Sequence, residues 1–187
     1  MKQTIINIFG SSGSGSTSLA MRVAKEFDLK FIDVDDYLWQ KTDPPFTARN
    51  TDQEALNLIK DQLEDKLPAV ISGSLVGIGE NIKRDIALFV YINLDKAIRV
   101  ERINKREKIR FGKRIEEGGD LYNQHQEFLK WVSEYESNPE TLRSRRQHLL
   151  WLEDVQVPVL RVTEELTMNE LVNLVRPFAR RTKWHLR

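Results

Sequence analysis

The sequence predicts an α/β fold, a five-stranded parallel sheet flanked by helices with a small helical lid. Apolar, β-rich runs alternate with helical patterns along the chain, and this alternation is typical of parallel strands joined by right-handed crossovers. The run at residues 86–92 is apolar almost throughout, as expected of a strand that is buried on both faces of such a sheet. The chain has 187 residues, which favours a single domain over residues 1–187.

Each strand is predicted from a short apolar run, and each helix from apolar residues that recur at every third or fourth position. Strands are expected at residues 4–9, 31–34, 69–72, 86–92 and 157–162. Helices are expected at about residues 17–27, 52–67, 95–110, 121–135, 139–153 and 167–180. The prolines Pro44 and Pro45 exclude a helix from residues 39–50. Thr51 or Asp52 is expected to cap the helix that follows, which ends at Pro68.

A loop of glycines and serines at residues 10–17 separates the first strand from the first helix. It matches the pattern G-x-x-x-x-G-K-[ST] at Gly10, Gly15 and Thr17, but Ser16 stands where the pattern has lysine. Glycines let successive N–H groups converge on an anion, and a helix N-terminus adds its positive dipole end. We therefore expect a phosphate-binding loop rather than a flexible turn. The residues expected to bind the cofactor are Gly10, Ser12, Gly13, Ser14, Gly15, Ser16, Thr17 and Ser18.

Three aspartates, Asp33, Asp35 and Asp36, follow the second predicted strand. Parallel sheets bind ligands beyond the carboxyl ends of their strands, so this cluster and the glycine loop are expected to face one cleft. Closely spaced carboxylates raise one another's pKa unless a cation or hydrogen-bond donors intervene, and Mg²⁺ is the natural cation beside a triphosphate. Thr17 and Asp33 are the candidate metal ligands, and Asp35 is a candidate base for an acceptor hydroxyl. The alternative is a polar strand end in which an aspartate caps a helix or turn.

Two further segments are expected near the same cleft. A second glycine-bearing loop at residues 72–79 follows the third strand, and it either presents N–H groups to a ligand or forms an ordinary strand-to-helix turn. An aromatic, proline-stiffened segment at residues 37–46 either stacks on a ring of the ligand or covers an edge of the core.

Arginines are dense at residues 99–114. Those at helical spacing are expected to lie on a solvated face, namely Arg99, Arg102 and Arg106. Arg110 and Arg114 are the stronger candidates for a catalytic role, because they belong to a glycine-hinged lid at about residues 110–121. Arginines on a closing lid can neutralise charge on a transferring phosphoryl group. A second cluster, Arg143, Arg145 and Arg146, is a weaker candidate. The three histidines, His125, His148 and His185, lack metal-ligand spacing, so they are left unassigned and are expected in surface or capping roles.

Composition narrows the function classes. A formal net charge of +1 predicts no general attraction to nucleic acid or to membranes. Absence of cysteine excludes disulfides, thiolate metal sites and a cysteine nucleophile. No apolar run approaches the ~20 residues of a membrane span, so a cytoplasmic location is expected. The basic tail at residues 180–187 is expected to be exposed.

With these elements in place, the chain resembles the small P-loop kinases of the adenylate kinase and shikimate kinase group. The resemblance rests on the glycine loop, the aspartates after strand two, the second glycine loop and the arginine-bearing lid. Residues 33–39 and 42–46 are also similar to bacterial proteins described as adenylate-kinase-like or AAA-family ATPases. The resemblance implies a P-loop NTPase fold and an enzymatic activity. The protein is expected to be a monomer or a homodimer. The resemblance also implies ATP and Mg²⁺ as cofactors and transfer of the γ-phosphate to a nucleotide, nucleoside or other small hydroxylated acceptor. Residues 163–166 would lie near the adenine.

The departure from that family pattern is Ser16. The lysine of a P-loop reaches the β- and γ-phosphates, and serine offers a hydroxyl without charge. Three explanations are open: another arginine supplies the charge, the protein binds nucleotide without efficient turnover, or the loop holds a different phosphorylated ligand. The alternative function is therefore a nucleotide-binding pseudo-kinase or regulatory module, which could engage a partner through the basic tail.

Overall fold

The computed structural model describes residues 5–65, 67–141 and 143–181, and it contains one five-stranded parallel sheet. The strands are β1 (Ile5–Gly10), β2 (Lys30–Asp33), β3 (Ala69–Ser72), β4 (Ile86–Ile92) and β5 (Val159–Val162). Their spatial order is β2-β3-β1-β4-β5, and every neighbouring pair is parallel. The fold class predicted from the sequence is confirmed. Residue 4, where the first strand was expected to begin, lies outside the described residues, as do His185 and the rest of the tail from residue 182.

Eight α-helices occur in the described part of the chain. They are α1 (Ser16–Phe27), α2 (Val34–Leu38), α3 (Asp52–Leu63), α4 (Glu80–Lys83), α5 (Lys96–Phe111), α6 (Tyr122–Ser133), α7 (Arg145–Trp151) and α8 (Met168–Arg181). A 3₁₀ turn at Gly112–Ile115 follows α5. None of the helices in the ranges described is long and apolar enough to cross a membrane.

The main differences from the sequence expectations concern short helices and their caps. Asp33 ends β2 and caps α2, because its Oδ1 accepts the backbone N–H of Asp35 at 3.1 Å. The predicted second strand therefore stops one residue earlier than expected. Helix α7 begins at Arg145 rather than at residue 139, because the Ser144 hydroxyl accepts the N–H of Gln147 and caps the helix there.

Helices cover both faces of the sheet with apolar side chains. On one face, α1 and α8 pack residues such as Leu19 and Val175 against β1 and β4. On the other face, α3 and α7 contribute Ile59 and Trp151 to a cluster that also holds Phe9 of β1. Both layers bury strand residues, so the sheet is fixed between them and its carboxyl edge is a rigid base for the loops above it.

Side chains at the start of α3 determine where this helix begins. Thr51 Oγ1 accepts the N–H of Glu54, and the Glu54 carboxylate accepts the N–H of Thr51 in return. This reciprocal pair satisfies two N–H groups that a helix start would otherwise leave unpaired. The capping residue expected at Thr51 is therefore confirmed.

Candidate functional site

The glycine loop sits between β1 and the N-terminus of α1, as the sequence predicts. Gly13 has φ +83°, and a Cβ atom there would lie 2.6 Å from the backbone oxygen of Arg99 in α5. A Cβ atom on Gly10 would overlap the backbone oxygen of Ile92 in β4. Only glycine lets the loop approach β4 and α5 this closely. The result is a tight turn whose exit places the first N–H groups of a 12-residue helix beside the loop.

Two serines of this loop carry hydroxyls that the protein itself does not pair. The Oγ atoms of Ser11 and Ser14 are buried, and neither has a hydrogen-bond partner within the described ranges. Buried polar atoms normally find a partner. Unpaired hydroxyls in a loop of this shape fit a site that completes its hydrogen bonds with a bound oxyanion.

The loop meets the acidic end of β2 through Thr17. Ser72, the last residue of β3, donates a hydrogen bond to Thr17 Oγ1 at 2.9 Å. Burial raises the pKa of the Asp33 carboxyl to about 6, the backbone N–H of Asp35 lowers it, and the Thr17 hydroxyl lowers it by a smaller amount. The neighbouring charges of Asp35 and Asp36 add to the rise. A cation at this position would offset both causes of the rise.

Thr17 and Asp33 fit a magnesium site of the kind that uses few protein ligands. Hydroxyl and carboxylate oxygens are the ligands that Mg²⁺ prefers, and it commonly takes one or two carboxylates with the rest from water and phosphate. Within residues 5–65, 67–141 and 143–181, no group of three His, Cys, Asp or Glu residues could hold a metal ion. The pair therefore suits a metal that is shared with a phosphorylated ligand.

Asp35 contacts an arginine from a distant part of the chain. Arg143 Nη2 lies 2.9 Å from Asp35 Oδ1, and the two residues are 108 positions apart in sequence. Arg143 precedes α7 instead of lying on it, whereas Arg145 and Arg146 are helical and exposed. The sequence placed Arg143 in a weaker cluster, because no local pattern marks which of the three arginines faces the aspartates.

Two arginines of α5 differ from the solvated face expected of them. The prediction is wrong for Arg99, which is fully buried: it donates to the backbone oxygens of Leu94 and Val132 and pairs with Glu136 at 2.6 Å. Arg102 approaches the glycine loop, with Nη1 3.4 Å from the Ser14 carbonyl oxygen, and its Nη2 pairs with Glu165 at 2.6 Å.

The histidine prediction is also wrong within the described residues, since His125 and His148 are both buried. His148 Nδ1 lies 2.7 Å from the Tyr135 hydroxyl, and Nε2 lies 3.0 Å from Ser74 Oγ in the second glycine loop. Tyr135 continues the chain to the Tyr91 hydroxyl at 2.8 Å. Burial lowers the pKa of His148 to about 3, with a smaller effect from the charge of Arg143, so the ring is neutral at pH 7. The network links the sheet, α7 and the loop after β3.

The second glycine loop is tied to the first strand. Asn7 Nδ2 donates to the backbone oxygens of Ile71 and Gly73, each at 3.1 Å. Gly73 has φ +98° and packs against Val34 at the start of α2. This loop, the aspartates and the first glycine loop therefore share the carboxyl edge of the sheet, as the sequence predicts.

The two arginines of the segment predicted to be a lid contact the aromatic segment. Arg114 pairs with Asp120 and with Asp43, at 2.7 and 2.9 Å. The Arg110 guanidinium lies 5.4 Å from the centre of the Phe46 ring. Phe46 also meets Trp39 edge-on at 5.8 Å. In this arrangement both lid arginines face the segment after α2.

Three solved structures with similar folds are small-molecule kinases by their descriptions. A sugar kinase from Janibacter sp. HTCC2649 superimposes with a TM-score of 0.54 at 14% identity, covering 95% of this chain and 94% of that one. A gluconokinase from Sinorhizobium meliloti 1021 gives 0.54 at 16%, with coverage of 99% and 95%. A shikimate kinase from Bacteroides thetaiotaomicron gives 0.51 at 17%, with coverage of 94% and 97%. At these identities the likeness shows the fold, which is that of the P-loop kinases.

No protein-family profile matches the chain. Among curated proteins, the "Uncharacterized protein YqaC" of Bacillus subtilis (strain 168) is 32% identical over 170 residues. The alignment covers 91% of this chain and 94% of the relative. Near-complete coverage at this identity, together with the sheet order and the glycine loop, shows that the chain belongs to the YqaC family and carries a P-loop kinase fold.

Proposed function

We propose that the protein is a phosphotransferase that uses ATP and Mg²⁺ to phosphorylate a small hydroxylated acceptor, such as a nucleotide, a nucleoside or a hydroxy acid. The observation that carries the proposal is the position of Thr17 beside Asp33, close enough for its hydroxyl to lower the pKa of that carboxylate. The hydroxyl that follows the glycine loop thus lies beside a carboxylate of the acidic cluster, so a metal bound there would touch the phosphates. The sugar kinase, gluconokinase and shikimate kinase with the same fold support the reaction class.

The donor half of the site is built from backbone groups and hydroxyls. The N–H groups of the glycine loop and the start of α1 would bind the phosphates, and Thr17 and Asp33 would hold Mg²⁺. Bound there, the metal supplies positive charge against the phosphate oxygens. The guanidinium of Arg102 contacts this loop, so it is a candidate to replace part of the missing lysine charge.

The acceptor half centres on Asp35. As the acceptor oxygen forms its bond to the γ-phosphorus, the bond to the bridging oxygen of ADP breaks, and Asp35 is the proposed recipient of the hydroxyl proton. Arg143 lies against Asp35 and keeps N–H groups beyond the one that binds it. An acceptor with a carboxylate or phosphate near its hydroxyl would gain a charge-assisted hydrogen bond from Arg143.

The test is ADP release from ATP with Mg²⁺, measured across a panel of nucleosides, nucleotides, sugars and hydroxy acids. We expect release with at least one acceptor. Asp35→Asn is expected to abolish that release while ATP binding is kept, and the charge-matched Asp36→Asn to retain most of it. An unchanged rate in Asp35→Asn would remove Asp35 as the base.

The second candidate is a nucleotide-binding protein with little turnover, and Ser16 is the observation that favours it. Loss of the lysine contact removes charge that P-loop enzymes use in the transition state. Tight ATP binding with no ADP release across the panel would support this function over the kinase.

A further inference from the structure

Helix α5 supports the glycine loop at two points. A Cβ atom on Gly13 would lie 2.6 Å from the backbone oxygen of Arg99, so the loop backbone packs directly on this helix. About one turn further along α5, Arg102 Nη1 donates a hydrogen bond to the Ser14 carbonyl oxygen at 3.4 Å. The same nitrogen lies 3.6 Å from the place where a Cβ atom on Gly15 would stand. The loop is therefore held against α5 by one backbone contact and one guanidinium.

The position of α5 is itself fixed from its other side. The Arg99 side chain is fully buried, donates to the backbone oxygen of Val132 and pairs with Glu136 at 2.6 Å. Val132 belongs to α6 and Glu136 follows it, so these contacts hold α5 against that helix. Arg102 therefore extends toward the glycine loop from a helix that is fixed in place.

A second contact orients the Arg102 guanidinium. Its Nη2 pairs with the carboxylate of Glu165 at 2.6 Å, and Glu165 lies in the segment between β5 and α8. This contact is shorter than the one to the Ser14 carbonyl and joins opposite charges, so it determines where the guanidinium lies. Because 38% of the Arg102 side chain is exposed, loss of Glu165 would let it turn toward solvent.

The Ser14 carbonyl and the Gly15 N–H belong to one peptide unit. This peptide bond is trans, since the cis bond found in the described part of the chain is Asp43–Pro44. The two groups of a trans peptide point in opposite directions, so a carbonyl that faces Arg102 turns the Gly15 N–H away from α5. That N–H has no acceptor within residues 5–65, 67–141 and 143–181, and no side chain caps α1 there. It is available to a ligand bound in the loop.

We propose that Arg102 is a positioning residue of the phosphate site: it acts through the Ser14 carbonyl and turns the Gly15 N–H toward the bound phosphate. The inference rests on the proposed function, because it requires that the phosphates of ATP bind in the glycine loop. The charge of the guanidinium also polarises the peptide unit, which makes its N–H a stronger donor. Glu165 contributes by holding Arg102 in place, although its own charge opposes that of an anion.

The sign of the Glu165 effect separates positioning from charge. With Arg102 acting on the phosphates only through its charge, Glu165→Gln would remove a nearby negative charge and tighten MgATP binding. With Arg102 acting through the Ser14 carbonyl, the same change weakens binding about two- to threefold, because the guanidinium is no longer held. Arg102→Gln removes the contact itself and is expected to weaken binding about five- to tenfold.

The experiment combines calorimetry and NMR on the full chain, labelled with ¹⁵N at its nine glycines. Calorimetry at physiological salt measures the MgATP affinity of each variant. NMR measures the downfield shift of the Gly15 amide proton at saturating MgATP, which is expected to fall by at least half in Arg102→Gln. The other glycine signals report whether the fold is unchanged. Arg106→Gln is the matched control: it removes an arginine of the same helix whose ion-pair partner is Glu107.

Each outcome decides between the proposals. Weaker binding in Arg102→Gln and in Glu165→Gln, with a reduced Gly15 shift in the first and a nearly unchanged affinity in Arg106→Gln, would support the positioning role. Unchanged or tighter binding in Glu165→Gln, a full Gly15 shift in Arg102→Gln, or an equal loss in Arg106→Gln would each overturn it and leave the proposed function standing. Failure of the unmodified protein to bind MgATP would overturn the proposed function, and the positioning role with it.

Discussion

After the function proposed for them, we call the glycine loop the donor loop and the segments around Asp35 and Asp43 the acceptor side. The two regions are held together in different ways. The donor loop is one continuous segment that glycine backbone conformations shape, and its close contacts are to backbone atoms of β4 and α5. The acceptor side is assembled from side chains that lie far apart in sequence, as in the pairs Asp35–Arg143 and Asp43–Arg114. The donor loop is therefore rigid and specified locally. The acceptor side is specified by long-range contacts, several of them exposed, and it is the side that can rearrange.

A buried polar network connects the donor loop to the acceptor side. Arg99 lies under the donor loop and over the Tyr135 ring at 5.1 Å, and Tyr135 leads through His148 to Ser74 on the acceptor side. This path gives the two sides a common, buried support. It implies that a change at His148 will alter the acceptor loop more than the donor loop.

The largest expected effect is a loss of stability caused by a substitution in the donor loop. Gly13→Ala places a Cβ atom 2.6 Å from a backbone oxygen at a residue with φ +83°, so we expect the free energy of unfolding to fall by about 3 kcal/mol. Gly118→Ala is the matched control, because Gly118 also has φ +83° but nothing lies within 4 Å of an added Cβ. That variant should lose only about 1 kcal/mol. Urea unfolding of both variants makes the comparison, and equal losses would show that the loop is not closely packed.

The second-largest expected effect is the pH dependence of stability that comes from His148 in the buried polar network. His148 has a pKa of about 3 in the folded protein and an ordinary value of 6.5 when unfolded, so the unfolded chain binds more protons between these pH values. Stability therefore falls as the pH drops below 6.5. Between pH 6.5 and 5 the protein should lose about 2 kcal/mol relative to His148→Gln, which cannot titrate. Urea unfolding at several pH values measures the difference, and parallel pH profiles would contradict a buried neutral histidine.

The smallest expected effect is on MgATP affinity, and it tests Thr17 and Asp33, the two residues proposed to hold Mg²⁺. Burial raises the pKa of Asp33 to about 6, so the carboxyl is protonated in more of the molecules as the pH falls through 6. MgATP affinity should then weaken by up to about tenfold for each pH unit below 6, because Mg²⁺ binds the ionised form. The stability effect has the opposite sign to that of His148: the protonated folded form contributes stability that is lost as pH rises from about 4 to 6. Asp33→Asn should bind MgATP weakly at every pH, and a pH-dependent affinity in this variant would assign the titration to another group.

Sequence reasoning predicted the sheet and the glycine loop well, because both depend on local signals. Strand β4 at residues 86–92 follows from an apolar run, and the turn at Gly13 follows from a spacing of glycines between a strand and a helix. Helix α2 was missed because Asp33 both ends β2 and caps α2, and only its hydrogen bond from the N–H of Asp35 shows the second role.

The acceptor side was predicted less well. The roles of Arg99 and His148 were missed because burial of a polar side chain depends on partners that the fold brings from elsewhere, here Glu136 and Tyr135. The lid arginines Arg110 and Arg114, expected at the phosphates, stay a prediction. The structure places them against Phe46 and Asp43.

The central claim is that a glycine loop without its lysine still binds the phosphates of ATP, with Mg²⁺ carrying more of the charge. Calorimetric titration of the unmodified protein with ATP, with and without Mg²⁺, tests it most directly, and Ser16→Lys provides the comparison. The account predicts binding that depends on Mg²⁺ in the unmodified protein and becomes less dependent on it in Ser16→Lys. Absence of ATP binding with Mg²⁺ present, in protein that is folded by circular dichroism, would contradict the claim.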